Sequence, residues 1–199
     1  MKYLIALACS SILILSSCLD PAIRSEPKKE SSNGAYMEKG HNIAATTFST
    51  LSTNLQKAMK EGGVTNAVKY CNVAASPLVD SLEQLHHVSI KRTSLKVRNP
   101  DNLPTDEERR QLQSYQQDFD AGNELNPVVN HADGNTSFYA PIYVAPLCQK
   151  CHGELGGELV EEDYNTILNL YPSDRAINYY AGDLRGMWSI SIYDPTATK

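Results

Sequence analysis

Apolar residues recur at helical spacing in the first third of the chain. The positions follow one another at intervals of four or three residues, namely Met37, His41, Ala44, Phe48, Leu51, Leu55 and Ala58. This spacing predicts one long amphipathic helix over residues 36–61, with one stripe facing a core. Gly62 and Gly63 predict its end, because glycine is a poor helix former and is preferred just after a helix.

Small apolar residues surround Cys71 on the helix that is predicted next. Thr65 is a favourable N-cap for this helix. Four residues on the same face lie three or four positions from the cysteine, namely Ala67, Val68, Ala74 and Ala75. Such a face gives a flat ligand close access to the sulfur. The alternative interpretation is that Cys71 is a small buried hydrophobe, as free cysteines usually are.

The rest of the pattern predicts short helices and alternating strands. Ser76 and Pro77 predict the start of a further helix, VSIKRTSLKV (88–97) predicts a strand with a polar middle, and Thr105 predicts another helix cap. Two strands about an Asp133–Gly134 turn, a helix over about 161–170 and a last strand containing Trp188, Ile190 and Ile192 complete the pattern. This order predicts an α+β domain with a central antiparallel sheet flanked by helices.

The N-terminus has the pattern of an exported protein. One lysine and an apolar run over residues 3–15 are typical of a secretory signal and too short for a spanning helix. The following Leu15-Ser16-Ser17-Cys18 resembles a bacterial lipobox, which predicts a signal peptide over residues 1–17 and lipidation of Cys18. The alternative is an ordinary signal with an incidental cysteine.

Residues 18–34 are rich in charge, serine and proline, which predicts a flexible tether before a domain over residues 35–199. We therefore expect a lipid-anchored domain on the periplasmic side of a bacterial membrane, inner or outer. A formal net charge of −5 does not favour nucleic-acid binding. The domain leaves no room for a kinase, cyclase or DNA-binding unit. Whatever it senses or carries must therefore be passed on to a separate protein.

The motif Cys148-Gln149-Lys150-Cys151-His152 has three interpretations. In c-type attachment the two cysteines form thioethers to haem and His152 is the proximal iron ligand. This interpretation agrees with the export signal. A structural zinc site needs four ligands, usually from two such motifs, and no second C-x-x-C is present. A thioredoxin-like disulfide needs the pair at the start of a helix, which the glycines at 153, 156 and 157 disfavour.

The remaining cysteines bear on the second iron ligand. Cys9 leaves with the signal and Cys18 takes the lipid, so Cys71, Cys148 and Cys151 remain. An odd number favours ligation by Cys71, because an unprotected thiol in an oxidising compartment is prone to oxidation. Other candidates have simpler explanations as core, surface or helix-end residues, namely His41, His86, His87, His131, Met59 and Met187.

Four motifs in order resemble one protein family. They are EGGVTNAVKYCNVAA (61–75), KRTSLKVRNPDNLP (91–104), LCQKCHG (147–153) and AGDLRGMWSISI (181–192). Together they are similar to the haem-c-binding, PAS-like domains that also occur as periplasmic sensor portions of histidine kinases and cyclases. The resemblance covers residues 36–194. It implies a PAS-like fold, one covalent haem c and axial ligation by His152 and Cys71.

The resemblance also directs attention to Arg92 and Arg98. Both lie in a family motif, and arginine suits the two carboxylates of a haem. A solvated strand edge is the alternative. Asp183 and Arg185 are expected to form at most a local ion pair.

With both axial positions filled, no open site for a substrate is expected, which argues against an enzyme, including a peroxidase. We expect one-electron transfer or redox reporting to a redox or signalling partner. One alternative is a gas (NO or CO) or redox sensor in which Cys71 dissociates. Another is a thiol-disulfide oxidoreductase that uses Cys148 and Cys151.

Overall fold

The computed structural model describes residues 27–132 and 135–193. The elements are α1 (Pro27–His86), β1 (Val88–Thr93), α2 (Asp106–Asp120), β2 (Val128–Ala132), β3 (Asn135–Tyr143), α3 (Gln149–His152), α4 (Glu161–Leu170) and β4 (Leu184–Ile192). Single 3-10 turns lie at Pro100–Asn102 and Pro146–Cys148. The strands form one antiparallel sheet in the order β1-β4-β3-β2. The α+β class predicted from the sequence is therefore confirmed.

The long first helix is broken where the glycine pair predicts a break. Gly62 and Gly63 are both non-helical, and Gly63 has a φ of +64°, a conformation that favours glycine. The prediction of a separate helix at Ser76–Pro77 is wrong, since α1 continues through Pro77 to His86. Proline removes the helical N–H that would bond the Val73 carbonyl, but Val73 is exposed, so water is available to that carbonyl. The helix also starts at Pro27, within the segment assigned to the tether.

The helix packs on one face of the sheet through a stripe slightly rotated from the predicted one. Phe48 is 54% exposed, whereas Thr47 is buried and its hydroxyl donates to the Ile43 carbonyl at 2.8 Å. This pairing makes a threonine acceptable in an apolar core. Gly40 permits the close approach of helix and sheet, because a Cβ there would overlap the Phe138 ring. The core on this face includes Ile43, Ala44, Leu51, Ala75, Ile90, Phe138, Trp188 and Ile190.

The opposite face of the sheet is covered by α2. Thr105 caps this helix as predicted, and a reciprocal bond with Glu108 completes a capping box. Glu108 also forms a 2.8 Å ion pair with Lys91 of β1. The core on this face consists of Leu112, Tyr115, Leu125, Tyr139, Leu184 and Met187.

The first strand is shorter than predicted and ends at Thr93 rather than at residue 97. Ser94 turns the chain, since its hydroxyl donates to the Arg185 carbonyl at 2.7 Å and accepts from the Lys96 N–H at 3.1 Å. A side chain at Gly186 would collide with the Thr93 carbonyl, so glycine is required where the two segments meet. The polar middle of the predicted strand is thus the start of a loop.

Several predicted features lie outside the described residues. They are the signal peptide, Cys9, Cys18, the tether up to residue 26, and the Asp133–Gly134 turn. Within the described ranges, no helix has the length and apolarity needed to cross a membrane.

Candidate cofactor-binding site

The C-x-x-C-H motif forms a compact turn. The 3-10 turn Pro146–Cys148 leads into α3, which has four residues and ends at Gly153. A helix does begin within the motif, contrary to the prediction, but it stops after one turn. Gly153 has little room for a side chain, because a Cβ there would lie 2.5 Å from the Gln149 carbonyl oxygen. Cys148 and Cys151 are three residues apart and so lie on the same side of the turn.

The sulfur atoms of this region are thiols. Cys71, Cys148 and Cys151 are all half-buried and free within the described part of the chain. Burial raises the pKa of Cys151 to about 11, against a lowering effect of the Arg98 charge. A reactive disulfide exchanger needs the opposite, a thiol whose pKa is depressed. The described residues also contain no cluster of three or more His, Cys, Asp or Glu side chains arranged to hold a metal ion.

His152 is held in one tautomer. Its Nδ1 lies 2.7 Å from the Ala176 carbonyl oxygen, which only accepts, so Nδ1 carries the proton. Burial, and then the charges of Arg98 and Arg185, lower the pKa of His152 well below its ordinary value. The imidazole is therefore neutral and Nε2 has an unprotonated lone pair, the state that metal ligation requires.

A buried ion pair fixes the carbonyl that orients His152. The Asp174 carboxylate accepts from Nε and Nη2 of Arg98 at 3.2 and 3.1 Å, and from the Ala176 N–H at 2.9 Å. Arg98 Nη2 also donates to the Cys151 carbonyl at 2.5 Å. Arg98 was predicted to bind the cofactor carboxylates, but these contacts favour a positioning role. Sequence reasoning missed Asp174, since a single acid in a polar loop carries no recognisable signal.

Cys71 approaches the motif from α1. Its predicted neighbours on the helix face are confirmed as an apolar surface, with Ala67, Val68 and Ala75 buried. Burial raises the pKa of the Cys71 thiol, and the charges of Arg92 and Arg98 oppose that rise. Cys71 also acts electrostatically on Cys151. Cys71 is distant from the motif in the sequence, and the fold brings the two into the same neighbourhood.

Arg92 faces this neighbourhood from β1. Its guanidinium lies 6.0 Å from the centre of the Trp188 ring, opposite it in the strand register. The residue is exposed, although the protein around its guanidinium lowers the pKa of Arg92 by desolvation. Its charge acts on both Cys71 and His152. Among the described residues no carboxylate pairs with Arg92. Of the two arginines, this one is available to an anionic group at the site.

The other sequence candidates lie elsewhere or have other roles. His41 and His87 are exposed, and His131 bonds Thr136 and Asn33. Met187 is core as predicted, and Met59 packs with the apolar cluster that contains Cys151. The expected Asp183–Arg185 pair is absent from the described residues. Asp183 instead accepts from the Tyr180 N–H at 2.7 Å, and Arg185 donates to the Lys96 carbonyl at 3.1 Å.

Comparison with known proteins agrees with this fold. The crystal structure of the cyanobacterial heme-protein Tll0287 superimposes with a TM-score of 0.56 at 20% identity, covering 84% of this chain and 96% of that one. This likeness confirms the fold expected from the four motifs, a PAS-like α+β domain with a long N-terminal helix. No curated protein matches the sequence. The family comparison matches residues 26–192, and the chain belongs to the Tll0287-like family.

Proposed function

We propose that this chain is a c-type haem-binding protein that exchanges single electrons with, or reports redox state to, a separate protein. The observation that carries the proposal is the His152 tautomer, whose Nε2 lone pair is available beside two free cysteines at thioether spacing. Membership of the Tll0287-like family supports it, because the related crystal structure is that of a heme-protein.

The residues present fit one covalent haem. Cys148 and Cys151 would form the thioethers, His152 would be one axial ligand and Cys71 the other. Arg92 would receive a propionate, and Arg98 would hold the His152 turn through Cys151 and Asp174. When bound, the haem iron supplies a reversible one-electron change. With both axial ligands supplied by the chain, we infer that the protein is not an enzyme.

The test is the absorption spectrum of protein made with the c-type maturation machinery, before and after acid-solvent extraction. We expect the haem absorbance to stay with the wild-type chain. It should be lost on extraction from Cys148→Ser/Cys151→Ser, since two thioethers are then missing. Absorbance that washes out of the wild type would overturn covalent attachment, and absorbance that never appears would overturn haem binding.

A second candidate function is a gas or redox sensor. Cys71 comes from α1, beyond the break at Gly62–Gly63, whereas His152 belongs to the same turn as the two attachment cysteines. The cysteine is therefore the ligand able to leave without disturbing the covalent site. Ferrous protein that binds CO with loss of the thiolate spectrum would favour the sensor, and a reversible potential unchanged by CO would favour electron transfer.

Membrane attachment is a further part of the proposal and rests on the sequence alone. Lipidation of Cys18 would place the domain on the periplasmic side of a bacterial membrane. We expect Cys18→Ala to move the protein from the membrane fraction to the soluble one. Equal membrane retention of the variant would contradict a lipid anchor at this residue.

A further inference from the structure

A cavity of about 430 Å³ lies on the α2 side of the sheet, outside the proposed haem site. It opens between α2, the loop after β1 and the segment before β4. Its lining includes none of the proposed haem ligands or attachment cysteines. The volume falls in the range typical of small-molecule sites. It is therefore a candidate site for a separate ligand.

The lining of this cavity has two kinds of surface. One is apolar and consists of Leu95, Leu112, Phe119 and Leu184. The other carries Lys96 and Arg185, whose cationic groups lie 4.5 and 5.2 Å from the centre of the Tyr179 ring. Each cation is attracted to the ring, but the two like charges repel each other, and an anion between them would relieve that repulsion.

The acidic residue of the lining does not serve this purpose. Asp183 is engaged at the rim, where its carboxylate accepts from the Tyr180 backbone N–H at 2.7 Å. Lys96 donates to the Ile177 carbonyl at 3.1 Å and Arg185 to the Lys96 carbonyl at 3.1 Å. Arg185 also has a hydrogen bond with the Tyr179 side chain. Both cationic groups carry further donors beyond these bonds. The remaining donors suit a carboxylate.

We propose that this cavity binds a small organic monocarboxylate with an apolar body, its carboxylate placed at Lys96 and Arg185 and its body against the leucine and phenylalanine wall. The mixed wall excludes two simpler classes. An inorganic anion would leave the apolar side unfilled, and a hydrocarbon would leave the remaining donors of both cations without an anionic partner.

The cavity is also connected to the proposed iron ligand. The backbone N–H of Tyr179 donates to the His152 carbonyl at 3.0 Å, and that of Asn178 donates to the Gly153 carbonyl at 2.9 Å. A ligand that fixes Tyr179 therefore acts on the turn that holds His152. This coupling rests on the proposed haem function, whereas the cavity itself does not.

The test uses benzoate as the probe and benzamide as its uncharged match, titrated by calorimetry into the full-length protein made with the maturation machinery. We expect benzoate to bind with a Kd of about 1 mM or lower and benzamide at least about tenfold more weakly. Lys96→Met keeps the apolar stem and should weaken the affinity for benzoate about tenfold. Lys57→Met, at an exposed position of α1, should leave that affinity unchanged.

Equal affinity for benzoate and benzamide, or no binding of benzoate, would overturn the proposal, and this comparison needs no variant. The reduction potential of the haem, measured with and without benzoate, tests the coupling separately. Binding without any shift in potential would overturn the coupling alone. Protein that lacks covalent haem but still prefers benzoate would contradict the proposed haem function and support the cavity.

Discussion

Asp174 is the residue that ties the loop before β4 to the C-x-x-C-H turn. Its side chain has no exposure, and that of Arg98 is 13% exposed. The Asp174 carboxylate accepts hydrogen bonds from the Arg98 guanidinium and from the Ala176 N–H. The Ala176 carbonyl in turn accepts a hydrogen bond from His152 Nδ1. Removing one partner of a buried pair leaves the other charged and poorly solvated. The orientation of His152 thus depends on a residue that forms no hydrogen bond with its ring within the described part of the chain.

Asp174→Ala is accordingly expected to reduce the free energy of unfolding by about 3–5 kcal/mol. Denaturant unfolding measures this change. The matched control is Glu158→Ala, which breaks a 2.6 Å pair with Lys150 whose side chains are 53% and 50% exposed. An exposed pair contributes less than about 1 kcal/mol. Equal losses in the two variants would contradict a buried, positioning role for Asp174.

At the scale of elements, Glu108 joins α2 to β1. Burial acts to raise its pKa, but hydrogen bonds from Lys91, the Thr105 N–H and Ser189 together bring the pKa below its ordinary value of 4.5. A carboxylate whose pKa is depressed by folding contributes stability above its unfolded pKa, and this contribution is lost as the pH falls through the folded value.

Glu108→Gln should therefore cost about 2 kcal/mol at neutral pH, because it weakens a charged hydrogen bond to Lys91. The difference between wild type and variant should shrink as the pH falls below 4.5. Unfolding curves at several pH values measure it. Glu61→Gln, in an exposed pair with Lys57 at 3.9 Å, is the control and should show almost no difference at any pH. A Glu108→Gln difference that does not change with pH would contradict this linkage.

Elements with a strong local signal are those that the sequence predicted well. The capping box at Thr105, the glycine break in α1 and the alternation of β4 are all local patterns. The errors arose where tertiary surroundings decide. Pro77 is accommodated within α1 because it lies on the exposed face of the helix. Thr47, rather than Phe48, faces the core, where its hydroxyl donates to a carbonyl of the same helix.

The residues of the candidate site likewise differ in how well the sequence predicts them. The motif Cys148 to His152 was recognisable because its residues are contiguous. Asp174 was not, since its partner Arg98 is 76 residues away. Arg98 was assigned to the cofactor because it lies in a family motif and arginine suits carboxylates, and only the fold shows that its Nε and Nη2 bond Asp174 and Cys151. Long-range pairing of this kind leaves no periodic or spacing signal.

At the scale of the whole molecule, Cys71 and His152 would connect two halves of the chain. Cys71 belongs to α1, which covers one face of the sheet, and His152 to the turn between β3 and α4. Two axial bonds to one covalently held iron would cross-link these halves, and such a link stabilises a fold mainly by restricting its unfolded chain. Cys71→Ala should then lower stability in two separable ways, through lost packing and through the lost cross-link.

A double-mutant cycle separates the two terms. In haem-loaded protein Cys71→Ala should both change the ferric absorption spectrum and lower the free energy of unfolding. In haem-free Cys148→Ser/Cys151→Ser protein only the packing loss should remain, about 1 kcal/mol for a half-buried sulfur. Val73→Ala, at a position 72% exposed on the same helix, should have little effect in either background. If Cys71→Ala costs the same in both backgrounds and leaves the ferric spectrum unchanged, Cys71 is a packing residue and the second axial ligand must come from elsewhere.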